Sequence, residues 1–551
     1  MVEGKVDRRG LVVLAAFVFI LVLSAIIVSV TFSLSLLVAP SPTTGDSDTS
    51  GIVEPWSTVL DSWDGDVEDE MDGGTGEETT GRFLVLSDIH LDPAYTPLKG
   101  GKRFCRDESK HGPSEACYTS RFDYDDDANY EYGQFGCDSP LPLLTNCLEA
   151  MRAVDADPDF LLIGGDLAMH CSPSYEATMS TVANATAVIS ANYRNTMIIP
   201  TIGNNDVYPE DQIAYGPSQQ LSDLADIWGP WIGDEEALET FRKNGYFSVS
   251  PVEGLRVVSL NTLYYTENWC PRNDTICTDE ELDSLVREDD PNGQFAWLAE
   301  QLADAVANGQ DVLMTGHMSP GRTRGFNKNW RGQYQDPFLQ LVERYHEHIV
   351  GAVFGHIHRD GFMMLEVEEQ GAPVNLNTFL VNSALSPREK QNPAFRVVQY
   401  RRRVAAARQE HGTNSRVTLD SFSVQYLNLT NVFDSERGTI PVWEFEYNFA
   451  DAYGAGRRGE PNSLLPASVQ QVVHDIFEDG TSYEEYLKHW ATLSDNVTIK
   501  HSKAEYLCSL IAISNSAYND CVDLLDALGD GGETAESSVY EETSSSYEGE
   551  R

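Results

Sequence analysis

Phe83-Leu84-Val85-Leu86-Ser87-Asp88-Ile89-His90 opens as an unbroken apolar run and closes on a small residue, a carboxylate and an imidazole. A short apolar run without polar alternation reads as a strand buried on both faces. Working outward from it, the same pattern recurs along the chain. The runs 160–163, 197–202, 311–314 and 349–354 lead into Gly164-Gly165-Asp166, Gly203-Asn204-Asn205-Asp206, Gly316-His317 and Gly355-His356-Ile357-His358. Each strand ends in glycine or serine and then in a side chain able to bind a metal ion.

Helical periodicity fills the gaps, over 141–154, 175–193, 218–228, 294–307 and 337–346, with another apolar run at 255–260. Strands alternating with helices predict an α/β fold with helices on both faces of the sheet. After His358 the pattern turns to antiparallel strands at 361–367, 375–381, 395–400 and 417–426. Arg401, Arg402, Arg403 and Arg408 fall between the last two and read as an exposed hairpin insertion. Four short helical patterns over 466–528 predict a small C-terminal helical appendage.

Sites in open α/β sheets form beyond the carboxyl ends of strands, so these strand ends predict one crevice. Imidazole, carboxylate and a single amide oxygen suit Zn, Mn or Fe better than Ca. Asp88 and His90, two apart on an extended segment, would point to one side and share an ion. Asp166 would bridge two ions. Two divalent ions against two carboxylates leave the site positive, which favours a phosphate and acidifies a bound water. Ions ~3.5–4 Å apart clamp the attacking and departing oxygens of an in-line displacement.

Asp88-x-His90, Gly165-Asp166, Gly203-Asn204, His317 and Gly355-His356-x-His358 together resemble the calcineurin-like metallophosphoesterase superfamily. Within it, Ser87-Asp88-Ile89-His90-Leu91-Asp92-Pro93, Gly136-Cys137-Asp138-Ser139-Pro140 and His170 four residues after Asp166 resemble the acid sphingomyelinase-like phosphodiesterases and the endopolyphosphatases. The resemblance covers roughly 82–521 and implies a four-layer sandwich of two mixed sheets flanked by helices. It implies one ion on Asp88, His90, Asp166 and His358 and a second on Asp166, Asn204, His317 and His356, with Zn the expected metal. Most of the superfamily carries His where this chain has Asn205. Asparagine cannot act as a general acid, though it can hydrogen-bond a phosphate. The resemblance therefore makes His170 the candidate acid, and Gly203-Asn204-Asn205-Asp206 resembles the endopolyphosphatases. Arg322, Arg324, Lys328 and Arg331 are candidates for a basic crevice rim.

The remaining sequence sets topology. The chain has 551 residues, 41% hydrophobic, and a net charge of -48, which argues against nucleic-acid binding and against anionic membrane surfaces. Residues 11–39 form an uncharged apolar stretch longer than the ~20 residues a bilayer requires. Lys5, Arg8 and Arg9 precede it and no Lys or Arg follows before Arg82, so the positive-inside rule predicts a type II signal anchor. Residues 1–10 would be a cytosolic tail, 40–80 an acidic disordered linker, 81–430 the catalytic domain, 431–528 the helical region and 529–551 an acidic disordered tail. The rest of the chain would lie in a vacuole- or lysosome-like lumen, the secretory pathway or the cell exterior. All nine cysteines and the sequons at Asn184, Asn273, Asn428 and Asn496 fall on that side of the anchor. Nine is odd, so one thiol is left over. Cys270 with Cys277 and Cys508 with Cys521 are candidate short disulfide loops.

Overall fold

The computed structural model describes residues 77–96, 105–106, 128–270, 278, 281–282, 287–323, 327–369, 372–404, 416–454, 464–499 and 501–528. The anchor, most of the linker and the acidic tail read from the sequence lie outside them. Among the described residues no helix is long and apolar enough to cross a membrane. The chain divides into Met1–Asp69 with Glu366–Asn375, and Glu70–Leu365 with Leu376–Arg551. Of the first unit the described residues are strand ends; the second carries the crevice.

The strands, in chain order, are β1 (Glu77–Leu86), β2 (Phe160–Ile163), β3 (Met197–Pro200), β4 (Phe247–Val252), β5 (Leu255–Ser259), β6 (Asp311–Thr315), β7 (Arg322–Thr323), β8 (Asn327–Lys328), β9 (Ile349–Phe354), β10 (Gly361–Glu369), β11 (Ala372–Val381), β12 (Ala394–Val404), β13 (Arg416–Tyr426) and β14 (Glu444–Asn448). Twelve of them form two mixed six-stranded sheets, ordered β14-β13-β12-β1-β2-β3 and β10-β11-β9-β6-β5-β4, and β7 pairs with β8 in a two-stranded ribbon. β1, β2 and β3 run parallel, as do β5, β6 and β9. Phe83, Leu84, Val85 and Leu86 are all buried, the signature of a strand covered on both faces. At ~1.5–3 kcal/mol for each fully buried side chain, these short central strands are held by burial more than by length.

Helices α1 (Leu141–Val154), α2 (Tyr175–Asn192), α3 (Gln219–Ile232), α4 (Glu235–Asn244), α5 (Gln294–Ala307) and α6 (Gly332–Arg344) connect the strands. Helix α6 begins five residues before the expected Pro337, a residue more often found in the first turn. Buried Tyr334, Gln335, Phe338 and Leu341 hold that earlier turn in place despite the proline.

The arginine run departs from expectation. Arg401, Arg402 and Arg403 belong to β12, paired with β1 at Thr80, Thr79 and Glu78 and with β13 on the other side. They are residues of the strand and not of an insertion, because β12 runs on to Val404, and acids face them. Arg401 donates to Asp420 and to Glu78 Oε1 at 3.2 Å, and Arg403 lies 3.8 Å from Glu78. Arg408 lies outside the described residues. β1 itself starts at Glu77, inside the stretch read as linker.

Beyond residue 430 the first sheet continues, with β14 paired to β13. Four helices then follow at Pro466–Glu478, Gly480–Trp490, Lys503–Ile511 and Asn515–Leu528. The Cys508–Cys521 disulfide crosslinks the last two across 13 residues. Cys105–Cys137 is a second, long-range bridge, which the sequence reading did not anticipate. Cys171 and Cys270 are also disulfide-bonded, while Cys277 lies outside the described residues. Cys147 is the free, buried thiol among the described residues. This bonding fits an oxidising compartment. Cys508→Ser with Cys521→Ser is expected to lower unfolding stability by ~3 kcal/mol, the loop-closure value for a short loop. Denaturant unfolding under non-reducing conditions checks it, and a change below ~0.5 kcal/mol would contradict the crosslinking account.

Candidate metal centre

The crevice lies beyond the carboxyl ends of β1, β2 and β3 from one sheet and β6 and β9 from the other. Asp88 and His90 follow β1, Asp166 follows β2, Asn204 follows β3, His317 follows β6, and His356 and His358 follow β9. All seven converge. Asp88, His90, Asp166, Asn204, His317 and His358 are at most 4% exposed, and His356 is half-buried. The donor atoms of Asp88, His90 and Asp166 lie within 4.8 Å of one another, and so do those of Asp166, His317 and His356. Asp166 is common to both groups.

The backbone is bent for this purpose. Asp88, His90, Asp166, His356 and His358 have φ of 50°, 43°, 56°, 72° and 57°. Left-handed backbone at a non-glycine residue costs on the order of 1 kcal/mol or more and clusters where side chains must be aimed. Asp88 and His90 thus face one side through these bends, not through extended alternation. The bends are secured by hydrogen bonds between strand ends. Asp88 N donates to Gly165 O at 3.1 Å and His90 N to Asp166 O at 2.9 Å. His356 N donates to both Asp88 oxygens, at 2.9 and 3.1 Å.

The small residues before the donors now have a reason. A Cβ on Gly203 would sit 2.1 Å from Asp166 Oδ1 and 2.2 Å from Asp166 N. One on Gly355 would sit 2.2 Å from Ser87 Oγ. Gly203→Ala is expected to reduce bound metal and turnover together by at least about tenfold, the scale of losing one support around a metal site. Elemental analysis beside steady-state rates checks it; normal metal content with normal rates would contradict the packing argument.

Around the donors, outer partners fix orientation. His317 Nδ1 bonds Gly164 O at 2.7 Å and His90 Nδ1 bonds Ala168 O at 3.1 Å, so both rings present Nε2 inward. His90 Nε2 stands 3.0 Å from His358 Nε2 and 3.4 Å from Asp166 Oδ2. His317 Nε2 stands 3.1 Å from Asn204 Oδ1 and 3.3 Å from Asp166 Oδ2. Burial pushes His90 down to about 3, keeping it a neutral donor, and pushes Asp88 up to about 7. Burial opposes the His317 cation, yet Asp166 beside it outweighs this and raises it to about 10. Basic atoms this close compete for protons, and a divalent cation relieves that competition. The donor set fits two such ions, and imidazole with carboxylate suits the zinc–manganese–iron range.

Asn205 does not face outward. Its backbone N donates to Asp166 Oδ1 at 2.7 Å and its Nδ2 to Asp166 Oδ2 at 2.9 Å. His170 sits beside the donors, its ring stacked on His90 with centroids 3.9 Å apart. Its Nδ1 pairs with Asp138 Oδ1 at 2.8 Å, leaving Nε2 as the other ring nitrogen. Asp138 and Asp206 are partners to which sequence reasoning gave no role, though both stand inside motifs it quoted. Asp206 accepts from the backbone N–H of Gly203, Asp166, Leu167 and Ala168 at 2.9, 2.8, 2.7 and 3.2 Å.

The expected basic rim is only partly visible. Arg331 pairs with Glu267 at 3.3 Å and Arg322 packs over Tyr518. Arg324 and the Lys328 side chain lie outside what is described. Asn184 and Asn496 are exposed, Asn428 is half-buried as a helix cap, and Asn273 lies outside.

Residues 81–360 match the model of the calcineurin-like phosphoesterase family. The chain belongs to this family. Among its relatives, the Homo sapiens acid sphingomyelinase-like phosphodiesterase 3b is 27% identical over 488 residues, covering 85% of this chain and 93% of that protein. The Mus musculus cyclic GMP-AMP phosphodiesterase SMPDL3A is 28% identical, covering 80% and 92%. The Dictyostelium discoideum sphingomyelinase phosphodiesterase D is 32% identical, covering 58% and 71%. This calcineurin-like phosphoesterase is a metal-dependent phosphoester hydrolase of the acid sphingomyelinase-like group.

Proposed function

We propose that the chain is a membrane-anchored, lumenal or extracellular phosphodiesterase acting on phosphodiester or phosphoanhydride bonds with two divalent ions. The observation that carries this is that two donor groups, Asp88 with His90 and His317 with His356, meet on Asp166 as the carboxylate common to both. Asp88, His90, Asp166 and His358 would hold one ion, and Asp166, Asn204, His317 and His356 the other, with zinc the first candidate. Bound there, such ions supply Lewis acidity to the phosphoryl oxygens and lower the pKa of a water.

The chain's own residues do the rest. Asn205 keeps both Asp166 oxygens oriented by donating to each. Asp138 fixes the His170 ring through Nδ1. His170 Nε2–H then gives its proton to the departing oxygen as the phosphorus–oxygen bond breaks. The carboxylates and imidazoles remain in place throughout, so the site needs little reorganisation during reaction.

The purified protein, loaded with Zn or Mn, should turn over at least one of an aryl phosphodiester, sphingomyelin, cyclic GMP-AMP, a nucleotide or polyphosphate, and lose that activity in a chelator. Metal-loaded protein inert across the panel would overturn the reading. A second reading, endopolyphosphatase, is favoured by Gly203-Asn204-Asn205-Asp206; shortening of long polyphosphate in preference to diesters would select it. Loss of a donor would have favoured a non-catalytic binding ectodomain, and all seven are present.

Asn205→His separates the two ways of supplying a proton. With His170 as the donor, the pH–rate profile keeps its shape and kcat falls by about tenfold, because the Nδ2 bond to Asp166 Oδ2 is lost. A new limb in the profile with raised kcat would move the proton-donor role to position 205.

A further inference from the structure

Arg106 joins pieces of chain that the metal centre needs in register. Its Nε donates to Asp92 Oδ2, two residues beyond His90. Its Nη2 lies 3.4 Å from Asp138 Oδ2 and 3.1 Å from the His170 carbonyl oxygen, to which it donates. Asp138 in turn accepts from His170 twice, through N at 2.9 Å and Nδ1 at 2.8 Å. Asp138 is 2% exposed, so its charge is not screened by water, and the Arg106 side chain is only 11% exposed. A planar guanidinium offers fixed forked donors, which suits it to set the angle between segments more than to add net stability.

The disulfide places that fork. Cys105 precedes Arg106 and Cys137 precedes Asp138, and the two cysteines are bonded. The crosslink therefore fixes both ends of the Arg106–Asp138 contact one residue away from each. The neighbouring backbone is tied as well, since Ser139 N donates to His90 O at 2.9 Å and Asp92 N to Ser139 O at 2.8 Å.

We propose that Arg106, held by the Cys105–Cys137 disulfide, is a positioning residue that sets the Asp138–His170 pair against the metal centre. The proposal rests on the reading of His170 as proton donor to the leaving group. Arg106 does not touch the reacting atoms; it acts through Asp138 and through the His170 carbonyl. Breaking the disulfide or the fork is expected to disturb the Asp138–His170 pair more than the seven metal donors, whose own hydrogen bonds between strand ends remain. The expected defect is selective, because a good leaving group departs without a proton and a poor one does not.

The test uses the full chain loaded with zinc and aryl phosphodiesters whose leaving phenols run from 4-nitrophenol to phenol. Arg106→Gln should lower kcat/KM about 10–100-fold for phenol and about threefold or less for 4-nitrophenol, at unchanged metal content. Cys105→Ser with Cys137→Ser should give the same split. Should Arg106→Gln fail to fold, Arg106→Lys keeps the charge, loses the fork and should show the split instead. His170→Ala should show the split in full, and adding Arg106→Gln to it should cost less than about twofold more. Equal losses on every leaving group, or losses that multiply in the double variant, would overturn the positioning role. If His170→Ala alone shows no leaving-group dependence, it is the proton-donor reading that falls. Non-additivity with Arg106→Gln then still reports whether the two residues act as one unit.

Discussion

Asp166→Asn is expected to remove at least about a thousandfold in kcat/KM, because several kcal/mol of electrostatic stabilisation depends on the shared carboxylate. Both oxygens are already committed. Oδ1 accepts from Asn205 N, and Oδ2 accepts from Asn205 Nδ2 and faces His90 and His317 at 3.4 and 3.3 Å. An amide supplies one acceptor oxygen and turns its NH2 against a donor, whichever way it is flipped. The His317 ring also loses the charge that balances it, and this carboxyl is held well below the usual range against its own burial, first of all by that ring. Steady-state rates on an aryl diester with elemental analysis of bound metal provide the check. A variant with full metal content and a rate within about tenfold of the parent would refute Asp166 as the shared donor.

Asp206→Ala is expected to destabilise the folded chain by on the order of 4 kcal/mol or more, as buried N–H groups left without acceptors cost ~1–3 kcal/mol each. Gly203, Asp166, Leu167 and Ala168 all donate to this one carboxylate. Their segments carry Asp166 and Asn204, so the loss reaches the metal centre as well as the fold. Asp206→Asn keeps the volume but offers one acceptor in place of two, and it should fall between parent and alanine. Denaturant unfolding of metal-free protein isolates the fold contribution from metal binding. A cost under ~1 kcal/mol for the alanine variant would show that water replaces the carboxylate.

Much of this is legible in the amino-acid sequence. The central strands and helices α1 and α5 fall where apolar periodicity put them, because their burial follows from local pattern. The convergence of the seven candidate donors was legible for the same reason: each stands within four residues of a strand end, and strand ends share a crevice in this class of fold. What the sequence hid is non-local. Nothing near Arg401 announces Glu78, 323 residues away, so a paired strand read as an exposed hairpin. Nothing near Cys105 selects Cys137 over the other cysteines. The role of Asp138 depends on His170, 32 residues later, and that of Asp206 on backbone groups up to 40 residues earlier. Asn205 was visible as a departure, but its orientation toward Asp166 was not.

The five left-handed bends at Asp88, His90, Asp166, His356 and His358 bear on how this enzyme could be improved. Glycine would relax the backbone at each of them and remove the donor in the same stroke. Stability and activity therefore pull in opposite directions within the crevice. Screens that reward heat resistance alone should drift toward inactive variants there, whereas helix surfaces far from the strand ends offer gains that leave the chemistry untouched.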